Sequence, residues 1–198
     1  CLTGSWILNR AEVWKPSEDL LNFLNAGPKP IYIGFGSIPS NDTDKIRSIV
    51  LEAVNFSGCR AILLAGPLGL DKFNMEIVSD KIFVIDHAPH DWLFKEVELA
   101  VHHGGAGTTA AAIRAGIPSV VVPFFGDQNY WAWCLEQLGV SPKKIPGKRL
   151  TADNLADAIK QSNEMQIKER AKTLGDKVLE EDGIKIAIKA LRDWKLIS

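Results

Sequence analysis

Five short apolar runs, separated by stretches with helical spacing, limit what this chain can fold into. Ile31 to Phe35 reads IYIGF between Pro30 and Gly36, and Ala61 to Ala65, Ile82 to Ile85, Leu99 to His102 and Ser119 to Val122 follow. Runs this short, rich in β-branched and aromatic residues and without polar alternation, read as strands buried on both faces. Between the first two, Ile46, Ile49, Val50, Ala53 and Val54 recur at helical spacing, with Asn41 and Asp42 as N-cap candidates and Gly58 as a stop. After the fourth, an alanine-rich helix runs through Ala115. Strands alternating with helices imply βαβ units and a parallel sheet covered on both faces, an α/β, Rossmann-like class. Ligands of such sheets bind beyond the carboxyl ends of the strands. That rule directs attention to the loops after Phe35, Ala65, Ile85, His102 and Val122.

From Asp127 onward the pattern is mainly helical, with stretches Asp127 to Leu138, Thr151 to Ser162, Ile167 to Leu179 and Gly183 to Trp194. The expected organisation is a linker segment over 1–28 and one Rossmann-like domain over 29–198. The chain opens at Cys1 rather than Met, with a connecting-type Thr3-Gly4-Ser5 stretch, and is expected to be part of a longer polypeptide. At 198 residues and 46% hydrophobic it can bury a sizeable core, and its net charge of -1 argues against a nucleic-acid partner. Thirteen basic against nine acidic residues follow Pro142, a surplus that reads as solvated helix faces, with peripheral membrane contact as the rival. Three cysteines without CxxC spacing fit a reducing cytoplasm. No apolar run approaches the ~18–20 residues of a membrane-spanning helix.

The strongest local signal is Val101 to Thr109, VHHGGAGTT, a strand end, a glycine turn and a helix start. Glycines let backbone approach an anion closely, and the free N–H groups and positive end of a helix favour phosphate. A pyrophosphate suits such a turn. His103 can add a hydrogen bond or a charge, and Thr108 and Thr109 can donate from their hydroxyls or simply cap the helix. Gly34-Phe35-Gly36-Ser37 can present Ser37 and amides to the same anion. Neither loop is a Walker motif or a full dinucleotide fingerprint. Asp127 and Gln128 stand at a helix start, where Asp is an ordinary N-cap, but a carboxylate beside an amide that donates and accepts also suits sugar hydroxyls. Trp131 is a candidate wall for such a site, whereas Trp133 reads as a partly exposed or core residue.

Other features carry less. Asp42-Thr43-Asp44 has a metal-holding DxD spacing but lies where the first helix needs an N-cap. His87, His90, His102 and His103 fit no structural zinc spacing, and His102, inside a strand, reads as structural. No metal site is expected, and no GxSxG elbow or Cys-His nucleophile signature is present.

Taken together, IYIGFGS (Ile31 to Ser37), HAPHDWLF (His87 to Phe94), VHHGGAGTT and VVPFFGDQ (Val121 to Gln128) resemble the UDP-sugar-binding half of family 1 glycosyltransferases, specifically sterol 3-beta-glucosyltransferases. The resemblance covers nearly the whole chain with its motifs in order. It implies the C-terminal domain of a two-domain GT-B fold, inverting chemistry, UDP-glucose as donor and no cofactor or metal. It places Ser37, His103, Gly105, Ala106, Gly107, Thr108 and Thr109 on the diphosphate, His87 and Ala88 on uracil, and Asp127 and Gln128 on the glucose hydroxyls. The ribose-binding glutamate of the family falls at Ala111. No residue here matches the catalytic base, a histidine of the N-terminal domain, so the chain alone is expected to be inactive, with a sterol or lipid acceptor held by the other half. A macrolide-type natural-product glycosyltransferase and a stand-alone nucleotide-sugar-binding module are the alternatives.

Overall fold

A computed structural model describes residues 1, 3, 4, 6, 14–36, 43–66 and 79–197. Five strands, β1 (Ile31–Gly34), β2 (Ala61–Leu64), β3 (Ile82–Ile85), β4 (Ala100–His102) and β5 (Ser119–Val121), form one sheet in the order β3-β2-β1-β4-β5. Every neighbouring pair is parallel. All five carboxyl ends therefore point to one edge, and the strand order reverses between β1 and β4, where Gly34 lies opposite His102. This is the Rossmann-like order expected from the alternation, and the crevice at its switch point is where such sheets bind ligands.

The strands are apolar throughout because both faces are covered. Ile31 and Ile33 pack in one layer with Val50 and Val54 of α2 (Thr43–Ser57) and with Leu155 and Ile159 of α6 (Ala152–Ser162). Tyr32, one residue out of phase, joins Leu93 and Phe94 of α3 (His90–Glu96) and Ala112 of α4 (Ala106–Ala115) on the other side. The period of two along a strand thus divides one apolar run between two cores. Helices α2, α3 and α4 lie on the β1-to-β2, β3-to-β4 and β4-to-β5 crossovers. The chain then continues through α5 (Gln128–Leu138), α6, α7 (Met165–Leu179) and α8 (Gly183–Asp193).

Two helices lie outside the sequence expectation. α1 (Glu18–Asn25) falls within the segment expected to be a linker, yet Leu20 is only 2% exposed and joins the Tyr32 layer. Arg60 secures it, with its guanidinium 4.1 Å over the Phe23 ring and hydrogen bonds donated to the carbonyls of Pro28 (2.9 Å) and Phe23. The Ser17 side chain accepts from the Leu20 amide, a start signal already present in Ser17-Glu18-Asp19-Leu20. α3 begins directly after Pro89, in the stretch between the third and fourth apolar runs to which the sequence analysis assigns no helix.

Glycine also sets one helix contact. Gly116 ends α4 in the left-handed conformation, φ 68°, and a Cβ on Gly175 of α7 would lie 2.6 Å from the Gly116 Cα. The backbones of α4 and α7 meet there with no side chain between them.

Candidate functional site

The glycine turn after β4 is shaped by its own strand. His102 is fully buried, and its Nδ1 accepts a hydrogen bond from the Gly104 amide at 3.1 Å. Burial, helped by the neighbouring His103 and His90, lowers its pKa to about 3, so the ring is neutral with its proton on Nε2. The structural role expected for His102 therefore has a specific form: it holds the turn in shape. Gly104 follows with φ 89°, and a Cβ there would lie 2.9 Å from the Gln128 carbonyl oxygen and from Val121 Cγ1. Only glycine brings the turn this close to the start of α5.

His103 occupies a slot between two loops. A Cβ on Gly36 would lie 2.7 Å from its Cε1, and a Cβ on Gly105 would lie within 2.4 Å of its Nε2. The imidazole is thus seated between the ends of β1 and β4, at the switch point. Desolvation lowers its pKa, opposed by the Asp127 carboxylate, so at neutral pH it offers a hydrogen bond rather than a charge. Among the described residues its buried Nδ1 has no partner, nor do His102 Nε2 and Thr109 Oγ1, leaving three unmatched polar atoms around one turn.

Helix α4 starts at Ala106 behind Gly105, with no side-chain cap and no acidic residue in its first turn. The Thr109 amide already donates to the Gly105 carbonyl at 2.9 Å, and Thr109 is 1% exposed. The Thr109 amide is therefore part of the helix, which leaves the buried Thr109 hydroxyl as its polar group at this turn. The amides left outside the helical ladder are those of Ala106, Gly107 and Thr108. Ser37 lies outside the described residues, as do Asn41 and Asp42.

Asp127 and Gln128 behave differently from the sequence expectation. Asp127 stands at the N-cap position but already has helical backbone, φ -72° and ψ -9°, and its side chain caps nothing. Its Oδ2 instead accepts from the Trp131 indole Nε1 at 3.0 Å. Gln128 is buried, and its Oε1 accepts from the amides of Phe124 (2.8 Å) and Phe125 (3.1 Å). Its acceptor is spent on the preceding loop, so only the Nε2 hydrogens remain for a ligand. Trp131 is partly exposed and Trp133 half-exposed, so neither is a core residue.

On the far side of the switch point His87 is exposed and Ala88 buried, directly after β3. Among the described residues His87 has no ring contact, whereas His90 stacks on Phe94 (4.6 Å) and sits 3.4 Å from the Tyr32 hydroxyl. His90 is thereby structural. Although the histidines gather near one sheet edge, no three His, Cys, Asp or Glu among the described residues form a metal-holding group. No described helix is long and apolar enough to cross a membrane.

The Gly36 slot for His103 and the Trp131 bond to Asp127 were missed in the sequence. The second had a usable signal in the i, i+4 spacing on one helix face; the first joins residues 67 positions apart and had none.

Comparison with known proteins agrees with this geometry. A family model described as erythromycin biosynthesis protein CIII-like, C-terminal domain, matches residues 70–185, more than half of the chain. Sterol 3-beta-glucosyltransferase UGT80A2 of Arabidopsis thaliana is 40% identical over 189 residues, covering 96% of this chain and 29% of the relative. A sterol 3-beta-glucosyltransferase of Saccharomyces cerevisiae (strain YJM789) is 42% identical over 201 residues, covering 96% and 16%. The chain thus spans less than a third of the length of these relatives. Among solved structures, the glycotransferase of kitacinnamycin aligns with a TM-score of 0.74 at 21% identity, over 94% of this chain and 47% of that one. Phytolacca americana UGT2, solved with UDP-2fluoro-glucose and pterostilbene, also gives 0.74, at 19% identity over 92% and 46%. The resemblance read from the four sequence motifs is borne out, and so is the Rossmann-like fold.

Proposed function

The chain belongs to the erythromycin biosynthesis protein CIII-like C-terminal domain family, and on that premise we propose that it is the donor-binding half of an inverting UDP-glucose-dependent glucosyltransferase. The carrying observation is the His103 ring seated between Gly36 and Gly105 beside the uncapped start of α4, at the switch point of the sheet. A diphosphate placed there meets the Ala106, Gly107 and Thr108 amides and the His103 imidazole. The exposed Asp127 carboxylate and the Gln128 amide stand at the next loop, where a hexose follows its phosphate. His87 and the Ala88 backbone, after β3, lie on the side left for uracil.

In the reaction this implies, an acceptor hydroxyl oxygen bonds to the anomeric carbon while the carbon–oxygen bond to the diphosphate breaks. UDP departs with the electron pair, and the acceptor proton passes to a base in the other half of the enzyme. Charge grows on the diphosphate as that bond breaks. The fixed amides and helix end stabilise it without rearranging: the helix end contributes ~0.3–2 kcal/mol, and charge-assisted hydrogen bonds add to it. The protein groups offered are hydrogen-bond donors, consistent with donor binding without a metal. A sterol or related lipid acceptor is favoured by relatives at 40% and 42% identity that carry that name over structural neighbours at 21% and 19%. A cytoplasmic setting, with peripheral contact to the membrane holding the acceptor, fits that substrate.

Calorimetry with UDP, UDP-glucose and NAD tests the assignment. UDP and UDP-glucose should bind, undiminished by a chelator, and His103→Ala should weaken both. NAD binding without UDP binding would overturn it. The isolated chain should transfer no sugar.

A further inference from the structure

We infer that Trp131 is a positioning residue for the donor sugar: it holds the Asp127 carboxylate in the orientation that receives a sugar hydroxyl. The inference rests on the donor-binding reading above and concerns how that site tells UDP-glucose from UDP.

Asp127 is exposed at the mouth of the site, and an exposed carboxylate ordinarily samples several rotamers. Here its backbone has already entered α5, which removes the usual cap bond that would hold it. The single bond to its side chain among the described residues comes from the Trp131 indole Nε1, 3.0 Å from Oδ2. Oδ1 is left to accept from a ligand. The indole packs edge-on against the Tyr130 ring, with centroids 5.4 Å apart, and lines a groove of about 430 Å³ together with Ala110 and Ile113 of α4 and Val178 of α7. One wall of that groove is thus α4, the helix whose first amides stand at the proposed diphosphate site. A sugar hydroxyl is a hydrogen-bond donor to a carboxylate, and a carboxylate with one oxygen fixed has less freedom to lose on binding it.

Trp131→Phe removes the N–H and keeps a ring. UDP affinity should stay within about twofold of wild type, while the ratio of UDP-glucose to UDP affinity should fall about two- to tenfold, the cost of immobilising one side chain. In an Asp127→Ala background the same substitution should change the ratio no further. An unchanged ratio in Trp131→Phe, or an equal fall in the Asp127→Ala background, overturns the inference. So does a parallel loss of UDP and UDP-glucose affinity, which would make Trp131 a structural support alone. Failure of the wild-type chain to bind UDP at all would instead refute donor binding, and this inference with it.

Discussion

Replacing Gln128 with glutamate separates two tasks that one amide performs. Oε1 accepts from the Phe124 and Phe125 amides at 2.8 and 3.1 Å, and Nε2 is left to donate to a sugar hydroxyl. Glutamate keeps the acceptor and loses the donor; alanine loses both. Leaving a buried N–H without an acceptor costs about 1–3 kcal/mol, and because Phe125 is exposed its amide regains water, so Gln128→Ala should lose about 1–3 kcal/mol of stability in all. Gln128→Glu should lose less than about 1 kcal/mol, since the carboxylate stands in the first turn of α5, where the helix dipole favours negative charge. A neutral hydrogen bond contributes about 0.5–1.5 kcal/mol, so Gln128→Ala should reduce the UDP-glucose to UDP affinity ratio by about 2–13-fold, whereas the carboxylate of Gln128→Glu can accept from a sugar hydroxyl in place of the lost donation. Urea unfolding and calorimetry on the two variants check the pair of effects. Equal stability of Ala and wild type would refute the loop role of Oε1, and a wild-type ratio in Gln128→Ala would refute a sugar contact by Nε2.

Gly105→Ala is accessible to the backbone, at φ -63°, but its Cβ would collide with His103 Nε2, so UDP affinity should fall at least as far as in His103→Ala with little change in melting temperature; full UDP affinity would remove the slot from the site. Because His102 has a folded pKa near 3, the unfolded chain takes up a proton near pH 6.5 that the native state refuses. Its contribution is complete above about pH 6.5 and is lost as pH falls below it, at about 1.4 kcal/mol per pH unit. Stability by urea unfolding should drop by about 2 kcal/mol between pH 6.5 and 4.5, and less so in His102→Asn, whose side-chain oxygen can still accept from Gly104; a flat profile in the wild-type chain would contradict this. Gly175→Ala would press a methyl against the backbone of Gly116 and Ile113 and should cost about 1–3 kcal/mol, read from the urea midpoint at constant m-value.

Strand positions were legible because burial on both faces leaves no polar residue to blur a run such as Ile31 to Phe35. The glycine turn after β4 was legible for a similar reason, since glycine, histidine and threonine are concentrated in one loop. What escaped were contacts that depend on where a side chain's second atom goes. Asp127 at a helix start looks like a cap until its ψ angle is known, and Gln128 looks bifunctional until the Phe124 and Phe125 amides are seen on its oxygen. α1 escaped although its cap and apolar spacing are ordinary, because its Phe23 is held by Arg60 and Phe83 and its Leu20 joins the Tyr32 layer, all residues distant in sequence.

The backbone contact between Gly116 and Gly175 has a bearing on the opposite end of α4. A helix of ten residues is a rod about 15 Å long, and pushing one end displaces the other almost undiminished. A methyl inserted at Gly175 would slide or tilt that rod and carry the Ala106, Gly107 and Thr108 amides with it by a comparable distance. The seat of the proposed donor site is therefore set in part by how closely two helices approach at the far end of α4.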